Sequence, residues 1–127
     1  MSGLTYDSGA LIAAERGDRR MWLIHARALA RGVRPTVPAT ALAEVYRSGR
    51  QANLGRLLTG CRIDSLDGER ARAAGVLLGR CAVSPGAVDA SVAECALRRG
   101  DAVVTGNARH LAALADGAGR KLAIIAL

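Results

Sequence analysis

The sequence predicts an α/β fold with a mainly parallel central sheet of about five strands, flanked by helices. Three observations carry that expectation. Short apolar runs alternate with longer segments of helical period, the pattern of repeated strand–helix–strand units. The 127 residues are 50% hydrophobic, enough for one domain spanning 1–127 with a real core. With no Phe, one Trp and two Tyr, that core must be packed from Ala, Leu, Val and Ile.

The elements follow in order. "LTY" (4–6) is the first strand, and "SGALIAAERG" (8–17) is a helix closed by Gly17. "DRRMWLIHARALARG" (18–32) is amphipathic, with Asp18 as N-cap and Gly32 at its end. "RPTVPA" (34–39) is a short strand between two prolines. "TALAEVYRSG" (40–49) and "QANLGRLLTG" (51–60) are helices ending in Gly, and "CRIDSL" (61–66) is a strand. "GERARAAGVLLGRC" (68–81) is a helix weakened by Gly75 and Gly79. "SPGAVDASVAECALRRG" (84–100) is a helix with Ser84 and Pro85 suited to its cap and first turn. "AVVT" (102–105) and "KLAIIAL" (121–127) are the closing strands, with the helix "ARHLAALADGAG" (108–119) between them. No repeat, low-complexity tract or linker interrupts the pattern.

The formal charge is +7, and 17 of the 18 basic residues are arginine. GC-rich coding accounts for the ratio of Arg to Lys. The net excess is a separate matter, and it favours a polyanionic partner such as nucleic acid. Cys61, Cys81 and Cys95 are odd in number and too widely spaced for a CxxC pair, which fits free thiols in a reducing cytoplasm. No signal peptide and no apolar run of membrane-spanning length is visible, so a soluble cytoplasmic protein is expected. No GxxxxGK[ST] or GxGxxG motif occurs among the 15 glycines, which argues against a nucleotide-binding fold. A phosphoacceptor receiver domain wants paired acids after its first strand and a lysine after its fifth; this chain has Asp7 alone, and Lys121 before its last strand.

Only 11 residues are acidic, so their positions carry information. Asp7 directly follows the first strand, either capping the next helix or, if Ser8 caps instead, facing the sheet edge. Glu44 points away from the apolar face formed by Leu42, Val45 and Tyr46 and reads as a solvated acid. Asp89 heads a stripe of Ala93, Ala96 and Leu97; it is a first-turn acid only if its helix starts near Val88. Asn107 stands where the "AVVT" strand meets its loop, the edge at which open α/β sheets place their chemistry. If the first strand and "AVVT" are neighbours, Asp7 and Asn107 meet. Asp64, Asp67, Glu69 and Glu94 read as surface residues, Asp101 as a turn acid, and Asp116 as part of a "DG" turn. His25 and His110 lack spaced partners and read as structural; Trp22 reads as a core or dimer-contact residue.

Three stretches, "YDSGALIA", "PATALAEVYR" and "VDASVAECALRRGDAVVTGNARHL", fall in order from Thr5 to Leu111. Together they resemble the PIN-domain ribonucleases, in particular the VapC-type toxins of bacterial toxin–antitoxin pairs. The resemblance implies a catalytic site of Asp7, Glu44 and Asp89, with Asn107 at a fourth position where many members carry aspartate. It implies Mg²⁺ or Mn²⁺ on Asp7 and Asp89, joined by Glu44 and Asn107, because such ions take oxygen ligands. Ser8 and Thr105 would support those ligands, and Arg109 would hold an RNA phosphate. The implied activity is hydrolysis of phosphodiester bonds in structured RNA of the tRNA or rRNA class, which also suits a chain poor in stacking aromatics. The implied partners are a cognate antitoxin and a second copy in a homodimer. A PIN-fold RNA-binding or partner-binding protein with weak or no catalysis is the alternative, and Asn107 is its best support.

Overall fold

The structure, a computed structural model, describes residues 3–127. Five strands form one parallel sheet: β1 (Leu4–Tyr6), β2 (Thr36–Pro38), β3 (Arg62–Asp64), β4 (Ala102–Thr105) and β5 (Ile124–Ala126). Between them run α1 (Ser8–Glu15), α2 (Arg19–Ala30), α3 (Ala39–Val45), α4 (Ala52–Leu58), α5 (Gly68–Gly79), α6 (Ala87–Arg99) and α7 (Ala108–Gly117). The strand order is β3-β2-β1-β4-β5. The predicted neighbours therefore do pair, with Leu4 opposite Ala102, Thr5 opposite Val103 and Tyr6 opposite Val104. Chain order reverses at β1, so the carboxyl ends of β1 and β4 open on the crevice where such sheets bind ligands.

Every residue of β1 and β4 is buried, as expected of parallel strands covered by helices on both faces. Leu11, Met21, Leu54, Leu57, Val92, Leu111 and Leu114 supply the large apolar side chains around them. Asp18 caps α2 as predicted, accepting from Met21 N at 2.9 Å. Gly17 and Gly32, after α1 and α2, have φ of 75° and 76°, left-handed values that glycine adopts without steric cost.

Several sequence expectations are corrected. The helix expected over 40–49 stops at Val45, because Tyr46 is extended at ψ 129°. The helix expected from Ser84 starts at Ala87 with Gly86 as N-cap, so Pro85 lies outside it and Asp89 falls in the first turn. Asp116 is inside α7. Asp101 is more than a turn acid: it is buried, accepting from Thr5 Oγ1 at 2.9 Å and Arg99 Nε at 3.3 Å. Nor are Asp64 and Glu94 isolated surface residues. Arg98 bridges them, Nη2 to Asp64 Oδ2 at 2.5 Å and Nε to Glu94 Oε2 at 2.9 Å, which ties β3 to α6. No local period could reveal a pair separated by 34 positions.

His25 is structural, as read. Burial holds the Tyr6 hydroxyl in its protonated form, and it shares a hydrogen bond of 2.9 Å with His25 Nδ1. Trp22 stacks edge-on against that ring at 5.7 Å, donates Nε1–H to Ala14 O and carries the Arg56 guanidinium on its face at 4.4 Å. Burial depresses the His25 pKa, so the unfolded chain takes up a proton at a pH where the folded chain does not. The stability tied to neutral His25 is complete above its unfolded value and is lost as pH falls below it. Melting temperature is expected to fall between about pH 7 and about pH 5, and the slope to shrink in His25→Gln, as thermal melts across that range would measure.

Candidate active site

Asp7 follows β1 with an extended backbone (φ −86°, ψ −178°) and is 4% exposed. Sequence spacing posed a choice between cap and site, and the carboxylate does both. Oδ1 accepts from Ala10 N at 2.9 Å, capping α1, while Oδ2 accepts the hydroxyl proton of Thr105 at the end of β4. Thr105 Oγ1 in turn accepts from Asn107 N at 2.7 Å. A chain of hydrogen bonds thus runs from the α7 cap position through Thr105 to Asp7. Burial is the main force raising the Asp7 pKa; the Thr105, Ala10 and Gly106 donors oppose it, and Asp89 adds repulsion.

Asp89 reaches the same place from α6. Its helix starts at Ala87, so the dipole reading of a first-turn acid holds, yet the side chain also faces the cavity. Glu44 is exposed, as its spacing predicted, and it stands on the rim of that cavity. Thr40 and Ser91 hydroxyls hydrogen-bond between α3 and α6, and Ser91 Oγ also donates to Val88 O at 2.8 Å, fixing the helices that carry Glu44 and Asp89. Asp7, Glu44, Asp89 and Asn107 line one cavity of about 540 Å³, together with Ser8, Gly9 and Gly106. All four predicted positions converge.

The close approach of α1 to the β4–α7 loop makes the cavity floor. A Cβ on Gly9 would lie 2.7 Å from Gly106 N and 2.9 Å from Gly106 Cα. Arg109 is exposed and lines a neighbouring cavity of about 560 Å³ that shares Asn107 with the first. Cys61 and Cys95 play no part, since burial pushes each thiol up to about 12, far from the reactive range.

Among the described residues, no three His, Cys, Asp or Glu side chains lie close enough to form a metal cage. The donor set nonetheless fits Mg²⁺ or Mn²⁺. Mg²⁺ is held by one or two carboxylates with water and substrate phosphate completing its shell, and Asp89 is near enough to help raise the Asp7 pKa. Ser8 Oγ, on the cavity wall, is buried without a hydrogen-bond partner, a polar atom that an ordered ligand or water would satisfy.

Sequence reasoning missed one residue. His110 Nδ1 lies 3.1 Å from Asp89 Oδ2 and 2.8 Å from Asn107 Nδ2. Its i, i+3 spacing from Asn107, across the first turn of α7, is the signal that pairs them.

No protein-family model matches the chain, and no curated protein does. Solved structures do. A chain of VapBC2 from Rickettsia felis, solved bound to a DNA fragment from its promoter, superposes with a TM-score of 0.75 at 16% identity over 98% of this chain and 98% of that one. A chain of FitAB bound to the IR36 DNA fragment gives 0.63 at 15% identity, covering 97% of this chain and 94% of that one. PAE2754 from Pyrobaculum aerophilum gives 0.61 at 19%, covering 97% and 83%. Agreement across nearly the full length, with a parallel 3-2-1-4-5 sheet, establishes that this chain has the PIN-like α/β fold.

Proposed function

We propose that this protein is a metal-dependent endoribonuclease toxin that hydrolyses phosphodiester bonds in structured RNA of the tRNA or rRNA class. The observation that carries the reading is the convergence of Asp7, Glu44, Asp89 and Asn107 on one cavity at the sheet's switch point. Asp7 and Asp89 would hold the cation, Mg²⁺ or Mn²⁺, which would supply polarisation of the phosphodiester and of the attacking water. Asp7 is fixed from both sides, by the α1 backbone and by Thr105, so its carboxylate is oriented before substrate arrives. Glu44, at the open rim, takes a proton from water entering from solvent. Asn107 completes the rim without adding a negative charge. Arg109, in the adjoining cavity, holds a flanking phosphate.

The +7 charge supports a polyanionic substrate, and the small number of aromatics favours recognition of backbone and shape over base stacking. The likeness to VapBC2 and FitAB supports a cognate antitoxin as partner, and a homodimer as the working form is part of the same proposal. No helix among the described residues is long and apolar enough to cross a membrane, and a cytoplasmic site of action is part of the same proposal.

The test is incubation of the purified protein with total structured RNA in Mg²⁺, in Mn²⁺ and in chelator. Discrete fragments are expected with either metal and none with chelator. Retained RNA binding without any cleavage would transfer the protein to the alternative, a binding module for which the amide at position 107 is the sign.

A further inference from the structure

We infer that His110 is a positioning residue for this site, holding Asp89 in its metal-binding orientation and recruiting Asn107 to do so. The inference rests on the metal-centre reading above and adds to it a residue that the resemblance did not supply. His110 is half-exposed on the first turn of α7, with Nδ1 placed between a side chain of α6 and the cap residue of its own helix. These are two elements that the backbone alone does not join at this point.

One nitrogen cannot donate to Asp89 and accept from Asn107 at the same time, so the location of a single proton decides the arrangement. With the proton on Nε2, Nδ1 accepts from Asn107 Nδ2, and Asp89 Oδ2 is left facing a lone pair at 3.1 Å. With the proton on Nδ1, it points at Asp89 Oδ2. A half-turn of the Asn107 amide then brings Oδ1 to the same hydrogen. A carboxylate accepts only, so the second arrangement satisfies every group and the first leaves two acceptors opposed. His110 therefore occupies Asp89 Oδ2 and leaves Oδ1 for the cation, the way a histidine–carboxylate contact commonly orients a metal ligand.

This gives the amide at position 107 a physical purpose. Its oxygen serves the imidazole N–H as a neutral acceptor, and its backbone N–H serves Thr105, which in turn serves Asp7. Both carboxylates are steadied from one cap residue. An aspartate there would put a third charge beside two that already repel each other.

The experiment is Mn²⁺ binding, by electron paramagnetic resonance and calorimetry, to the wild type, His110→Leu, His110→Asn and Asp89→Ala. The half-exposed position lets each variant fold, which thermal melts would verify. His110→Leu is expected to bind Mn²⁺ about 10–100-fold more weakly, the usual effect of losing a group that orients a ligand. His110→Asn, whose Nδ2 falls near the lost Nδ1, is expected to recover most of that affinity. A His110→Leu protein that binds as the wild type does, while Asp89→Ala does not, would overturn the positioning role and leave the metal centre standing. A wild type that binds no Mn²⁺ would overturn both.

Discussion

Asp7→Asn is expected to abolish RNA cleavage while making the protein more stable at neutral pH. The two effects have one cause. Asp7 is almost wholly buried, and its pKa is raised chiefly by that burial, so keeping it ionised costs folding free energy. An acid whose folded pKa lies above its unfolded value supports the fold fully only below the unfolded value, and that support is lost as pH rises through the folded one. Asparagine caps helices as well as aspartate does and keeps the acceptor for Ala10 N, while its Nδ2 donates to Thr105 Oγ1 in place of accepting from it, so the variant sheds the charge with the cap in place. Melting temperature should rise at pH 7, and the gap to wild type should close in acid. Mg²⁺ or Mn²⁺ should raise the melting temperature of the wild type but not of the variant, because only the former binds the ion in the folded state. Cleavage should fall by more than about 100-fold, the upper end of what loss of a merely supporting group costs. A variant less stable than wild type at neutral pH would show that Asp7 is a structural cap whose charge the fold needs.

Gly9→Ala is expected to lower both stability and activity. Alanine is the better helix former by about 1 kcal/mol, and Gly9 is the second residue of α1. Propensity alone therefore predicts a gain. The new methyl group, however, would meet Gly106 N at 2.7 Å and Gly106 Cα at 2.9 Å, and backbone cannot swing aside as a flexible side chain does. Forcing the two apart costs about 1–3 kcal/mol in overpacking and moves Thr105 and Asn107 away from Asp7. The clash outweighs the propensity. Denaturant melts should show a net loss of stability, with metal-dependent cleavage falling in parallel. The same substitution at Gly55 or Gly75, where an added Cβ meets nothing within 4 Å, should be neutral or stabilising.

The sheet was legible because its signal is local and repeated. β1, β4 and β5 are short apolar runs, and "AVVT" and "LTY" are apolar enough to be buried on both faces, whereas β3, with Ile63 between Arg62 and Asp64, is largely exposed. Helix ends were less legible. Ser84 and Pro85 look like a cap and first turn, yet the helix starts at Ala87, and only tertiary packing distinguishes the two frames. The site divides in the same way. Asp7 and Asn107 follow from strand ends once β1 and β4 are neighbours. Glu44 does not, because a residue on the rim of an open cavity has the period of a solvated one, and only resemblance recruited it. His110 was overlooked as a histidine without partners, since Asp89 lies 21 positions away on another helix. The Asp64–Arg98–Glu94 contacts escaped for the same reason.

In the function proposed here, Asp7 and Asp89 would together hold a divalent cation at the crevice between β1 and β4. The most direct measurement is a crystal of the protein soaked in Mn²⁺, with data collected to reveal the anomalous signal of the ion. One peak beside the Asp7 and Asp89 carboxylates is expected, absent from an Asp89→Ala crystal treated identically. A Mn²⁺ peak elsewhere, or none beside Asp7 at saturating metal, would contradict it.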